Sequence, residues 1–142
     1  MKQGVFLVYT YGDNSAESIK KVIRSYYDFL SNRNYSTLHD FYAPVLERYY
    51  AEFNITSDAA IKNAQVYWNK YKIISAQSLI DWNTFEVKSL SDGCFSATFN
   101  MDYLIERSEN NKAKKFNLDI NILFSSDLKI KSIYENIVSS NK

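Results

Sequence analysis

Apolar residues recur at steps of three and four along the first half of the chain and at steps of two along the second, predicting helices followed by strands. Ile19, Val22, Ile23, Tyr26, Tyr27 and Leu30 mark one face of a first helix, and Lys20, Lys21, Arg24 and Asp28 fall on the other. Asp13-Asn14-Ser15 offers side-chain oxygens for its N-cap, and Ser31-Asn32-Arg33-Asn34 ends it. Tyr35, Leu38, Phe41 and Tyr42 predict a shorter second helix, stopped at Pro44, which cannot continue one. Val45 to Phe53 reads as a short strand or an irregular segment. Thr56-Ser57-Asp58 then caps a third helix, whose apolar face is Ala60, Ile61, Ala64, Tyr67, Trp68 and Tyr71.

After Lys72 the period changes. Ser75 to Trp82 and Thr84 to Leu90 read as two β-type segments, and Ser91-Asp92-Gly93 as a turn. Phe95, Ala97, Phe99, Met101, Tyr103 and Ile105 alternate with mostly polar residues and predict one long strand. Ser108 to Lys115 is a polar hairpin loop with a basic tip. Phe116 to Phe124 alternates again, Ser125-Ser126-Asp127 turns, and a last strand runs from Leu128 to about Ile137, leaving Val138 to Lys142 as a frayed tail. The expected class is α+β. Residues 1–142 are expected to form one domain with a core over about 15–138 and a lead-in over 1–12.

Composition narrows the chemistry. The chain has 142 residues, and its net charge of +1 argues against a nucleic-acid surface. Cys94 is the only cysteine and His39 the only histidine, so motifs needing paired thiolates or paired imidazoles are excluded and no cofactor is expected. With 3 Gly and 1 Pro there is no Gly-rich phosphate loop. Val5 to Tyr9 is too short to span a bilayer, so no membrane span is expected. A cytoplasmic location is the default expectation, and an extracytoplasmic one applies if the chain was cut from a longer anchored protein. The 12 Tyr and 9 Phe predict a tyrosine-rich core or pocket, since a tyrosine ring packs while its hydroxyl seeks a polar partner.

The aromatic first helix, the Tyr35–Tyr42 helix ending at Ala43-Pro44, and the terminal β meander together resemble the nuclear transport factor 2-like superfamily, over roughly Ile19 to Ile137. The likeness is to bacterial members of uncharacterised role that stand alone or serve as sensor-like parts of larger proteins. It implies three helices packed in the concave side of a strongly bent, mainly antiparallel sheet, a cystatin-like cone with an internal pocket. Relatives such as ketosteroid isomerase use a carboxylate base with a tyrosine and a protonated aspartate. Threaded on that pattern, the tyrosine falls at Tyr26, the base position is occupied by Tyr50, and the aspartate position falls near Ile120, with Asp119 beside it facing the other way. A dehydratase of the superfamily would need a His–Asp pair in the cone, whereas His39 falls on a short outer helix.

The expected function is therefore a non-catalytic ligand-binding, sensory or assembly module, and the balance weighs against an enzyme. Tyr26, Tyr42, Tyr50, Trp68, Tyr71, Phe99 and Tyr103 are the pocket candidates for a small apolar or aromatic ligand. The plainer alternative is that these rings fill the cone as core. An isomerase- or dehydratase-type enzyme using Tyr26 with Asp81 or Asp119 is a further alternative, and so is a purely structural dimerisation domain. The polar strand face of Thr98, Asn100, Asp102, Asn117, Asp119 and Asn121 suits a solvated surface or a homodimer contact better than a cation site. A homodimer through that outer face is expected.

Overall fold

The structure, a computed structural model, describes residues 11–108 and 113–140. Helix α1 spans Tyr11–Ser31 and buries Ile19, Ile23, Tyr26 and Tyr27 along one stripe. Its end is closed by Arg33, whose φ of 55° lets Asn34 N–H reach back to the Phe29 carbonyl at 2.9 Å. Helix α2 keeps only Tyr35–Leu38. Beyond it, tight turns take over, with Phe41 N–H on the Leu38 carbonyl and Tyr42 bridging to Ile130. Strands β1 (Val45–Tyr49) and β2 (Glu52–Thr56) form a hairpin. Helix α3 (Ser57–Lys70) starts where the Thr56 hydroxyl accepts from Ala59 N–H at 3.2 Å. Then come the long strands β3 (Ile73–Ser89), β4 (Phe95–Arg107), β5 (Ala113–Phe124) and β6 (Ile130–Ser140).

The six strands make one sheet in the order β2-β1-β6-β5-β4-β3. Neighbours are antiparallel except β1 and β6, which run parallel where Arg48 faces Ser132 and Tyr49 faces Ile133. Inward residues of the three central strands form the core. Met101, Ile120, Ile122, Phe124, Ile130 and Ile133 are each at most 2 % exposed and pack in one cluster with Ile19, Ile23 and Tyr26 of α1. The arrangement is the α+β cone of three helices and a bent sheet.

Two of the four breaks in strand pairing among the described residues bear on the site. On β3, Asp81 faces Asn100 and Glu86 faces Thr98, so the residues 82–85 stand opposite Phe99 alone. Extra residues on one strand bend it and sharpen its twist. On β6, Ser132 faces Leu123 while Ile130 faces Phe124, leaving Lys131 as an added residue.

Several boundaries differ from the sequence expectation. Helix α1 starts before Asp13-Asn14-Ser15, residues as compatible with a first helical turn as with a cap. Of the lead-in, residues 1–10 lie outside the described residues, as do residues 109–112 of the basic hairpin loop and 141–142 of the tail. The second helix is four residues long because tertiary packing draws Phe41 and Tyr42 into the core. Val45 to Phe53 is a hairpin with its turn at Tyr50, whose φ of 56° lies in the left-handed region. The two segments expected on either side of Asn83 are one strand with a break. The tail is drawn into the sheet as far as Ser140, which pairs with Phe116.

The core carries a direct prediction. Phe124→Ala should lower unfolding free energy by about 3–5 kcal/mol in urea titrations, whereas Leu79→Ala, at an outward position 48 % exposed, should change it by about 0.5 kcal/mol or less.

Candidate active site

The open half of the cone holds a cavity of about 530 Å³. Helix α1 contributes Tyr27 and Leu30 to its wall, and α3 contributes Asn63, Ala64, Val66, Tyr67, Trp68 and Lys70, with Tyr71 just beyond. The β1–β2 turn adds Tyr49, Tyr50, Ala51 and Glu52, while Met101, Tyr103, Leu118 and Glu135 come from the sheet. The wall is thus largely aromatic and aliphatic, with three charged side chains.

Glu135 is the polar centre of this wall. It faces Ile120 across the sheet, two residues after the fully buried Ile133, and so occupies an inward position on β6. Burial pushes its carboxyl pKa above the usual range. No hydrogen bond or ion pair to the carboxyl is present among the described residues. Tyr27, Tyr49, Tyr50, Tyr67 and Tyr103 surround it closely enough to feel its charge. Their phenol pKa values are raised, chiefly by burial and further by Glu135 and neighbouring tyrosines.

The β1–β2 turn is held over the cavity by Arg48. Its Nε donates to the Tyr50 carbonyl at 2.7 Å, and its guanidinium lies 4.0 Å from the Tyr134 ring centre and 5.3 Å from that of Phe53. Tyr50 N–H donates to the Ile133 carbonyl at 2.8 Å. Together these bonds stabilise the left-handed backbone that a tyrosine adopts only at a cost of about 1–3 kcal/mol.

Of the seven pocket candidates, Tyr50, Trp68, Tyr71 and Tyr103 line the cavity. Tyr26, Tyr42 and Phe99 sit elsewhere. The Tyr26 and Tyr42 hydroxyls bond each other at 2.7 Å inside the core, and Tyr42 also interacts with the Tyr49 hydroxyl. Phe99 packs among Tyr27, Trp82 and Phe85, with each ring centre 6.4 Å from its own.

Neither carboxylate named for the enzyme alternative enters the cavity. Asp81 is exposed and accepts from Asn83 N–H at 3.1 Å, and Asp119 is exposed and accepts from Asn100 Nδ2 at 2.9 Å. His39 does meet an aspartate, Asp58, at 3.2 Å, but on the outer surface. Among the described residues no three His, Cys, Asp or Glu side chains cluster as a metal ion would need. Likewise, no helix there is long and apolar enough to cross a membrane.

Glu135 escaped the sequence reading because the added residue Lys131 resets the alternation. Counting by twos from Ile130 points Ser132, Tyr134 and Asn136 inward, whereas counting from Ile133 points Glu135 inward. An acidic residue framed by Ile133 and Ile137 was the available signal.

Compared by sequence, the chain matches no protein-family pattern and no curated protein. Compared by shape, it is similar to a scytalone dehydratase-like protein of Novosphingobium aromaticivorans DSM 12444, with a TM-score of 0.76 and 10 % identity over 92 % of this chain and 88 % of that one. The fold is that of the nuclear transport factor 2-like superfamily. A type 2 hexachlorocyclohexane dehydrochlorinase (LinA) is similar with a TM-score of 0.69 and 11 % identity over 91 % of each chain. A nuclear transport factor 2-like protein of unknown function from Exiguobacterium sp. 255-15 has a TM-score of 0.64 and 8 % identity over 82 % of this chain and 97 % of that one.

Several proteins sharing this nuclear transport factor 2-like shape bear enzyme names, an epoxide hydrolase/cyclase-like enzyme of salinomycin formation among them. That finding overturns the expectation of a non-catalytic module and the weight placed against an enzyme. It favours the isomerase- or dehydratase-type alternative.

The carboxyl leaves a thermodynamic trace. Because its pKa is raised on folding, the folded state holds a proton that the unfolded state releases as pH climbs through the ordinary glutamate range. Stability contributed at this site is therefore highest in acid and falls with rising pH until the raised pKa is passed. Glu135→Gln should accordingly raise the melting temperature at neutral pH, with the gain shrinking toward zero below the ordinary glutamate pKa. Differential scanning calorimetry of both proteins across pH checks this, and a gain independent of pH contradicts it.

Proposed function

We propose that the chain is an enzyme of isomerase or dehydratase type in which Glu135 is the group that accepts and returns a proton. One observation carries the reading: a carboxyl with no partner among the described residues, in the wall of a cavity of about 530 Å³ whose lining includes five tyrosines near enough to feel its charge. A carboxylate in water is a feeble base, whereas one whose pKa is lifted by burial toward the working pH transfers protons efficiently. Glu135 takes a proton from a carbon next to an electron-withdrawing group. The electrons left behind either shift a double bond or expel a leaving group, and the second outcome suits the dehydratase- and dehydrochlorinase-named proteins of this shape. The apolar walls exclude competing water and hold a ring-bearing substrate, with Tyr50, Trp68, Tyr71 and Tyr103 as its contacts.

The test uses apolar ring compounds bearing hydroxyl, halogen or carbonyl groups, incubated in deuterated water. Wild type should incorporate deuterium or form the elimination product from at least one of them. Glu135→Gln should lower that rate by about 10² or more, while Glu86→Gln, exposed on β3 and outside the cavity wall, should leave it nearly unchanged. A Glu135→Gln protein as active as wild type removes the reading.

A homodimer through the outer sheet face belongs to the same proposal. On that face Asn100 and Asn117 exchange bonds of 2.8 and 2.9 Å, extended by Asp119 and Asp102. Such a self-satisfied polar layer suits a wet contact between two copies. Light scattering should report a dimer, split when Asn100 and Asn121 are both replaced by lysine. A monomer at high wild-type concentration contradicts this assembly.

A further inference from the structure

Inward positions on β4 are taken in turn by Phe95, Ala97, Phe99, Met101, Tyr103 and Ile105, and the next place in that series belongs to Arg107. Its guanidinium lies 5.4 Å from the ring centre of Tyr71, and Lys70 Nζ lies 5.4 Å from the same ring. The Tyr67 phenol, whose pKa burial raises, is close enough to be drawn back by that guanidinium. Tyr67, Lys70 and Tyr71 all line the cavity, and the two tyrosines are 43 % and 38 % exposed, so this part of the wall is its rim. Among the described residues no hydrogen bond or ion pair reaches the side chain of Arg107 or Lys70. The adjacent acid, Glu106, faces the other side of the strand, where it accepts from Ser75 Oγ at 2.9 Å. Arg107 Nε is sealed from solvent without a partner, whereas its two terminal nitrogens stay open to solvent. Leucine or methionine would continue the apolar series and cover Tyr71 without burying an unpaired N–H, so packing alone does not account for an arginine here.

We propose that Arg107 and Lys70 hold a carboxylate of the substrate at the rim of the cavity, and that the substrate is a ring-bearing carboxylic acid whose apolar body lies inside. The inference rests on the reading of this cavity as an active site and names its substrate class. The terminal nitrogens of an arginine present parallel N–H groups that match the two oxygens of a carboxylate, and an ammonium adds charge without demanding one geometry. Glu52 in the same wall offsets one of the two positive charges, so the rim suits a single negative charge better than the double charge of a phosphate monoester. The Tyr71 face beside both cations gives the ring of the substrate a surface to pack on. The Glu135 carboxyl owes its raised pKa to burial, with no part played by either cation, so the rim stands apart from the base. The carboxylate is thus an anchor, held away from the carbon that gives up its proton.

A matched pair of probes tests this: 2-naphthylacetate, and 2-naphthylacetamide, which has the same shape without the charge. Calorimetric titration of wild type at low salt should show the carboxylate binding about tenfold more tightly than the amide. Arg107→Gln should erase most of that preference while leaving amide affinity unchanged, which also shows that the variant is folded. Lys70→Gln, at an exposed position, should reduce the preference, and Lys88→Gln, exposed on β3 and outside the cavity wall, should not. If Arg107→Gln loses the amide as well, Lys70→Gln decides. Equal affinity for both probes, failure of wild type to bind the carboxylate, or a preference that survives in both Arg107→Gln and Lys70→Gln would each overturn the proposal. Deuterium exchange into uncharged ring compounds, compared between wild type and Glu135→Gln, reports on the base separately. An Arg107-dependent preference with no Glu135-dependent exchange upholds the anion site and removes the base. Glu135-dependent exchange with equal affinity for the two probes upholds the base and overturns the anion site.

Discussion

The break in β3 is the constraint on which the rest of the molecule depends. Residues 82–85 have only Phe99 opposite them, and the excess is absorbed by folding Trp82 and Phe85 onto that ring. The loop is stitched locally: Thr84 Oγ1 donates to the Asp81 carbonyl at 2.6 Å and accepts from Asn100 N–H at 2.8 Å. A sheet pinned in this way curls instead of lying flat. Its curl closes over α1, where Arg24 and Lys20 lie above the Trp82 and Phe85 rings at 4.8 and 5.4 Å. The wall of the cavity is built mainly from α3 and the β1–β2 turn.

The second break has the complementary effect on chemistry. A single added residue on β6 turns Glu135 toward the interior, where its neighbours in the core are Leu118 and Ile120. The buried tyrosines differ in what their hydroxyls meet. Tyr26, Tyr42 and Tyr49 answer one another and serve the packing, as satisfied buried polar groups do. The Tyr27 hydroxyl has no hydrogen-bond partner among the described residues.

Much of the architecture was legible in the residues because periodicity survives in long elements. Ile19 to Leu30 keeps a helical stripe and Phe95 to Ile105 keeps strict alternation, so both elements and their buried faces could be read directly. The short elements were not legible. Phe41 and Tyr42 continue a helical pattern but leave the helix because the core takes their rings, and the β1–β2 hairpin turns on a tyrosine instead of a glycine, helped by Arg48. The site was half legible for the same reason. Aromatic residues announce a pocket wherever they fall, so Tyr50, Trp68, Tyr71 and Tyr103 could be named from sequence alone. Glu135 could not, since a bulge on β6 changes which side every later residue faces.

The parallel contact between β1 and β6 has a consequence for how the chain acquires its shape. Tyr49 and Tyr50, two of the seven aromatic residues in the cavity wall, dock on Ile133 from the far end of the chain. Contacts that close so long a loop form late, after local helices and the β3–β4–β5 meander have formed. During synthesis the hairpin therefore waits with its tyrosines unburied until the last strand leaves the ribosome. The hollow end of the cone is the last part of the molecule to exist, and a chain interrupted before Ile133 would keep its helices and most of its sheet without it.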